Sequence, residues 1–215
     1  MASKGTLTVI SGFSGVGKGS VMNSLVSRYE GYALSVSATT RDPRPNEVHG
    51  VEYYFISMKE FVEMIAAEGL VEYAQYCGNY YGTPKAFVEK KLEEGKDVLL
   101  EIEIQGAMKV RGQFPDATLV FVMPPSAQAL YDRLTGRGTD APDKIRSRIE
   151  RAVHEAEGIE DYDFIVVNDE IDTCADELHR LIQARKLRTS QNVPFIEEIR
   201  SGIREIADKI HLLQS

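Results

Sequence analysis

A short apolar run at residues 7–10 leads directly into Gly12-Phe13-Ser14-Gly15-Val16-Gly17-Lys18-Gly19-Ser20, and no other stretch constrains the fold as tightly. The glycines let the backbone curl around an anion with several N–H groups pointing inward. The helix that follows presents its positive end, and the lysine adds a mobile charge. A strand before the loop and a helical pattern after it, at 21–29, make this a phosphate-binding unit whose expected ligand is a nucleoside triphosphate. The pattern G-x-x-x-x-G-K-[ST] is met as far as the lysine. Gly19 stands where a hydroxyl is usual, so a magnesium-binding hydroxyl has to come from Ser20, one residue later. A glycine-rich turn with an incidental exposed lysine is the plainer alternative.

Three further apolar runs, 97–102, 118–123 and 164–167, read together with 7–10 as buried parallel strands. Helical patterns between them, such as 126–134 and 172–186, make repeating βα units. That alternation predicts an α/β fold whose parallel sheet is covered on both faces, with ligands at the C-terminal ends of its strands. Between 34 and 95 the character changes: 53–56, 70–73 and 79–81 are short aromatic-rich strands, with turns at Pro43, Pro45 and Gly78. This reads as an inserted small β lobe. The polar stretch Gly136-Arg137-Gly138-Thr139-Asp140-Ala141-Pro142, between two helical patterns, suits a mobile lid. Beyond Ser190, Ile196, Ile199, Ile203, Ile206 and Ile210 mark an amphipathic helix that packs on the body or on another subunit, which leaves a homo-oligomer open.

A second anion site is suggested by Arg41 and Arg44, which flank a turn stiffened by Pro43. Arginine's planar fork suits phosphate oxygens, although a solvated charged loop has the same composition. Tyr53 and Tyr81 lie in the same lobe and offer phenolic donors to that phosphate, or else serve as strand packing. Glu72 and Glu103 suggest base reading, because guanine presents adjacent donors, N1–H and N2–H₂, that one carboxylate accepts together. Adenine has no such pair. The alternatives are the solvent face of a strand for Glu72 and a helix cap for Glu103.

Composition narrows the classes. At 215 residues there is room for one packed core carrying an insertion. A net charge of −8 argues against a nucleic-acid binder, and no apolar run is long enough to suggest a membrane partner. The first residues lack the apolar stretch of a signal peptide, so the cytoplasm is the expected compartment. Cys77 and Cys174 are isolated from one another and read as packing residues.

Taken together, residues 11–19, 37–44 (Ser-Ala-Thr-Thr-Arg-Asp-Pro-Arg) and 78–83 (Gly-Asn-Tyr-Tyr-Gly-Thr) resemble guanylate kinase. So do 101–106 (Glu-Ile-Glu-Ile-Gln-Gly), 133–139 (Arg-Leu-Thr-Gly-Arg-Gly-Thr) and 167–169 (Val-Asn-Asp), in order along about 5–187. The resemblance implies a P-loop kinase core at 1–36 and 97–187 with a lid at about 136–148. It further implies a GMP-binding lobe at 37–96, a helical tail at 188–215, and transfer of a phosphoryl group from ATP to GMP, and to dGMP, with Mg²⁺.

On the same resemblance, Arg41, Arg44, Tyr53 and Tyr81 would hold the GMP phosphate, and Ser37, Glu72, Thr83 and Glu103 would read guanine. Lys18 and the loop amides from Gly12 to Ser20 would hold ATP, Asn168 would lie near adenine, and Arg133 would support the lid or a phosphate. Arg137 and Arg148 would close over the transferring group, while Ser20 and Glu101 would serve magnesium, Glu101 through its waters. The family often has proline at the place of Phe13 and aspartates at those of Glu101 and Glu103. The rivals are a non-catalytic module of the same fold, against which Lys18, Arg137 and Arg148 weigh, and a kinase for another acceptor, against which Glu72, Thr83 and Glu103 weigh.

Overall fold

The computed structural model describes residues 4–76, 78–136 and 142–213. Among these the chain runs β1 (Leu7–Gly12), α1 (Lys18–Arg28), β2 (Tyr32–Leu34), β3 (Ala38–Thr39), β4 (Tyr54–Phe55), α2 (Met58–Ala66), β5 (Leu70–Tyr76), β6 (Asn79–Pro84), α3 (Lys85–Glu93), β7 (Asp97–Glu101), α4 (Ile104–Gln113), β8 (Thr118–Met123), α5 (Ala127–Thr135), α6 (Pro142–Ala156), β9 (Phe164–Val167), α7 (Ile171–Lys186) and α8 (Val193–Leu213). The fold is α/β. Five strands form a sheet in the order β2-β7-β1-β8-β9, and every neighbouring pair is parallel. Val9, Ile10, Val98, Leu100, Leu119 and Val122 are buried, as continuous apolar strands are when both faces of a sheet are covered. On one face α3 contributes Val88 and Leu92, and α4 contributes Ala107 and Val110, to a single apolar cluster with β1, β7 and β8. The edge strand β2 was not among the strands expected from sequence.

The inserted lobe is a second sheet, β4-β3-β6-β5, antiparallel except for β3 with β4. Its floor is Phe61 of α2, packed with Ala38 and Leu70. That helix starts at a capping box: Ser57 Oγ accepts from the Glu60 N–H, and the Glu60 carboxylate accepts from the Ser57 N–H at 2.7 Å. Regular pairing of β5 with β6 breaks between Leu70 and Tyr73. Leu70, Val71 and Glu72 are consequently all buried, Leu70 in the lobe's own core and Val71 in the main one. The lobe is thereby pinned to the sheet beside Glu72.

Strand direction then assembles the functional edge. The loop after β1, Glu101 at the end of β7 and Asn168 directly after β9 all emerge at the C-terminal side of the parallel sheet. The chain divides into two compact units, Met1–Leu178 and His179–Ser215. In the second, the turn before α8 is tied by Asn192, whose Nδ2 donates to the carbonyls of Lys186 and Arg188 at 2.7 and 2.8 Å.

Candidate active site

The phosphate loop is held open by what lies behind it. Phe13 is buried and packs edge-on to Phe121 with ring centroids 5.2 Å apart, so its ring belongs to the core and leaves the rim of the loop unaltered. Asn168 Nδ2 donates to the Val16 carbonyl at 2.7 Å. Gly17, at φ +97°, passes so close to that amide that a Cβ would sit 2.6 Å from it, so a larger residue there would be strained and would have to push Asn168 aside. Lys18 Nζ donates to the carbonyls of Gly12 and Phe13 at 2.8 and 3.2 Å, which curls the ammonium across the mouth of the loop. Burial pushes the Lys18 pKa down, and the Glu101 carboxylate is the chief opposing influence.

Beside the loop, a cavity of about 350 Å³ is lined by Gly15, Gly17, Arg133, Asn168 and Ile171. Asn168 Oδ1 is buried and makes no hydrogen bond among the described residues, so it presents an acceptor at this wall. Arg133 donates to the carbonyls of Val16 and Asp169, each at 3.3 Å, and so braces the loop against the end of β9.

A second cavity, about 410 Å³, lies between the lobe and the sheet. Ser37, Arg41, Arg44, Tyr53, Glu72, Tyr81 and Glu103 all line it. Thr83 is buried behind Glu72 and donates to its Oε1 at 2.9 Å. The other oxygen lies so near the first turn of α4 that a Cβ on Gly106 would come within 3.1 Å of it. Burial raises the Glu72 pKa, and the Thr83 hydroxyl pulls it back. The reading of Glu72 as a solvent-facing strand residue is thus overturned: it is 7% exposed. Glu103 does occupy the N-cap position of α4, yet its side chain makes no cap and instead pairs with Arg151.

The arginine turn is already paired. Arg41 Nη2 lies 3.0 and 2.9 Å from the two oxygens of Glu47, and Glu47 Oε2 also accepts from the Arg44 N–H at 2.7 Å. The Arg41 guanidinium sits 5.5 Å from the Tyr53 ring centroid, and Tyr53 and Tyr81 meet edge to face. Glu47 was missed in the sequence. Its only signal there was an acid three residues after Arg44, in a turn that already carries Asp42.

A third cavity, about 380 Å³, joins the two sides. It shares Ser37, Tyr53, Glu101 and Glu103 with the lobe cavity and reaches Gly12, Ser14 and Lys18 of the loop. Arg151 of α6 crosses it. Arg151 Nη2 pairs with Glu103, and its Nε donates to Glu155 Oε1 at 2.9 Å, while Glu155 Oε2 accepts from the Ser14 N–H at 3.4 Å. Arg148 stands on α6 one turn before Arg151, on the same face. Arg151 and Glu155 were also missed, because only folding brings α6 to the loop. Arg137 lies outside the described residues.

Glu101 and Ser20 are the residues that would hold magnesium. Glu101 is the acid beside the loop, its pKa raised by withdrawal from water and drawn back by Lys18. A Cβ on Gly19 would come 3.7 Å from its Oε2, so the position of the missing hydroxyl faces this carboxylate. Ser20 is exposed. Among the described residues no three His, Cys, Asp or Glu side chains group as a cage. One carboxylate, a hydroxyl and substrate oxygens are the donor set that suits Mg²⁺, which keeps much of its water.

The guanylate kinase family model matches residues 4–185. A guanylate kinase of Latilactobacillus sakei is 47% identical over 189 residues, covering 87% of this chain and 93% of that one. Another, of Streptococcus thermophilus, is 44% identical over 210 residues, 97% of this chain and all of its own length. Among solved structures, guanylate kinase of Anaplasma phagocytophilum superposes with a TM-score of 0.71 at 31% identity, over 88% of this chain and 90% of that one.

Proposed function

The chain belongs to the guanylate kinase family, and we propose that it transfers the γ-phosphoryl group of ATP to GMP, and to dGMP, giving ADP and a guanosine diphosphate. The observation that carries the acceptor is the buried Glu72, fixed by Thr83 in the cavity that also holds Arg41 and Arg44. Its carboxylate accepts from guanine N1–H and N2–H₂, and Glu103 and Ser37 complete the base site. Arg41, Arg44, Tyr53 and Tyr81 hold the acceptor phosphate, displacing the Glu47 carboxylate from its pairing with Arg41.

On the donor side, the loop amides and Lys18 take the ATP phosphates. Asn168 Oδ1 supplies the acceptor for the adenine 6-amino group. The nucleophile, a GMP phosphate oxygen, is already ionised near neutral pH, so no side chain has to remove a proton from it. The obstacle is repulsion between anions, which makes positioning and positive charge the main levers. Lys18, Arg41, Arg137 and Arg148 provide that charge. Glu101, through water, and Ser20 would hold magnesium, which would supply Lewis-acid neutralisation of the phosphate oxygens. We place the enzyme in the cytoplasm; none of its described helices is long and apolar enough to cross a membrane.

The reading is tested by incubating the protein with ATP, GMP and Mg²⁺ and following products by phosphorus NMR. ADP and GDP appearing in equal amounts, and neither when magnesium is chelated, is the expected result. ADP without GDP would contradict it.

A further inference from the structure

Beside the base-reading carboxylate stands a cation that lines none of the three cavities. Lys109 lies on α4 one turn after Gly106, on the same face of the helix. Gly106 is the position where an added Cβ would come 3.1 Å from Glu72 Oε2. Lys109 Nζ donates to the carbonyl of Tyr73, the residue after Glu72, at 2.9 Å, and it lies 5.1 Å from the centroid of the Tyr73 ring.

These contacts cross from the core to the lobe. β5 is an edge strand of the lobe's sheet, whereas α4 packs on the parallel sheet. An edge strand keeps backbone groups that its own sheet does not pair, and the ammonium brings the Tyr73 carbonyl a donor from outside the lobe. The Tyr73 ring in turn meets Phe61 of the lobe's floor, with centroids 6.4 Å apart. On the other side of Glu72, Val71 is buried in the main core. Glu72 is therefore held from both neighbours, by packing at Val71 and by Lys109 at Tyr73.

The charge of the tie matters too. Burial favours the neutral form of Glu72, while guanine N1–H and N2–H₂ need the anion. The Thr83 hydroxyl from β6 and the Lys109 ammonium from α4 favour the anion, and Glu103 at the head of α4 opposes it. Across the cavity Arg41 is paired with Glu47, Glu101 lies beside Lys18, and Arg44, Tyr53 and Tyr81 form the phosphate end.

We propose that Lys109 is a positioning residue for acceptor recognition: it ties Tyr73 to α4 so that Glu72 faces the base, and it supplies a positive charge that keeps the carboxylate fit to accept from guanine. The proposal rests on Glu72 being the base reader.

Its test is the pH profile of kcat/KM for GMP, at saturating ATP and Mg²⁺, for the wild type, Lys109→Met and Lys109→Arg. Lys109→Met keeps most of the stem and loses the charge and the hydrogen bond. Without the ammonium Glu72 ionises at higher pH, so the acid limb should move up by about half a unit to one unit, a modest shift because Lys109 is exposed. KM for GMP at neutral pH should rise about threefold with kcat held, which also shows that the variant is folded. Lys109→Arg keeps a cation on the same stem and should follow the wild-type profile. An acid limb that Lys109→Met leaves in place overturns the proposal, and so does an equal shift in Lys109→Arg, which would make the residue a packing element. A wild-type acid limb that Glu72→Gln leaves intact is a different failure: it would remove Glu72 as the base reader, and this proposal with it.

Discussion

The two halves of the active site are built by different means. The donor half is backbone: loop amides, held in shape by Phe13 in the core and by Asn168 behind Gly17. Its loop lysine, Lys18, rests on the loop's own carbonyls. The acceptor half is side chains, and they are already engaged with one another: Arg41 with Glu47, Glu72 with Thr83. A backbone site tolerates changes in its side chains except at the glycines and the lysine, whereas a side-chain site loses something at every member. Selectivity belongs to the second kind, because only paired donors and acceptors penalise the wrong base.

Removing the loop lysine should have the largest effect. Lys18→Ala should lower kcat for GDP formation by about a hundredfold or more, equivalent to about 3 kcal/mol of transition-state stabilisation. Near-normal kcat in a folded variant would take catalysis away from the loop lysine. Glu72→Gln comes next and sharpens the contrast, because it should act on the acceptor alone. We expect kcat/KM for GMP to fall by about one to three decades, with the GMP-to-AMP ratio shrinking and KM for ATP held. An unchanged ratio would move base reading to Glu103, Thr83 and Ser37.

The same carboxyl gives a pH signature. Burial raises the Glu72 pKa, and guanine needs it ionised, so kcat/KM for GMP should fall as pH drops through a value above the ordinary carboxylate pKa of about 4.3. Glu72→Gln should lose that limb; its persistence in the variant would assign it to another group. Thr83→Val removes the hydroxyl that holds Glu72 in place and pulls its pKa down. It should cost about tenfold in kcat/KM for GMP and shift the acid limb to higher pH. An unmoved limb would mean that Thr83 does not tune Glu72.

Arg151, the tie between the halves, should matter least. It is partly exposed, and Arg151→Ala should change KM for GMP by about two- to fivefold, with the difference fading at high salt. A loss of several decades would make the tie part of the catalytic machinery.

How much of this was legible in the sequence follows the same divide. The phosphate loop is nine contiguous residues whose chemistry is in the backbone, so its place and ligand could be read directly. β1, β7 and β8 were legible because both faces are apolar; β9 was read as equally buried, but it lies at the sheet edge with Ile165 and Val167 exposed. β2 was not: three half-buried residues at the sheet edge carry too little pattern. In the lobe, single residues were visible but their engagements were not. Whether Glu72 faced solvent or base depended on the irregular pairing of β5, and the Glu47 and Arg151 pairings on folding that no spacing encodes.

The central claim is that a buried carboxylate in the lobe selects the acceptor. The most direct measurement is kcat/KM for the unmodified enzyme with GMP, AMP, UMP and CMP in turn, each with ATP and Mg²⁺. The account predicts GMP ahead of every other acceptor by about three to four decades. AMP within tenfold of GMP would contradict it, since adenine cannot satisfy Glu72.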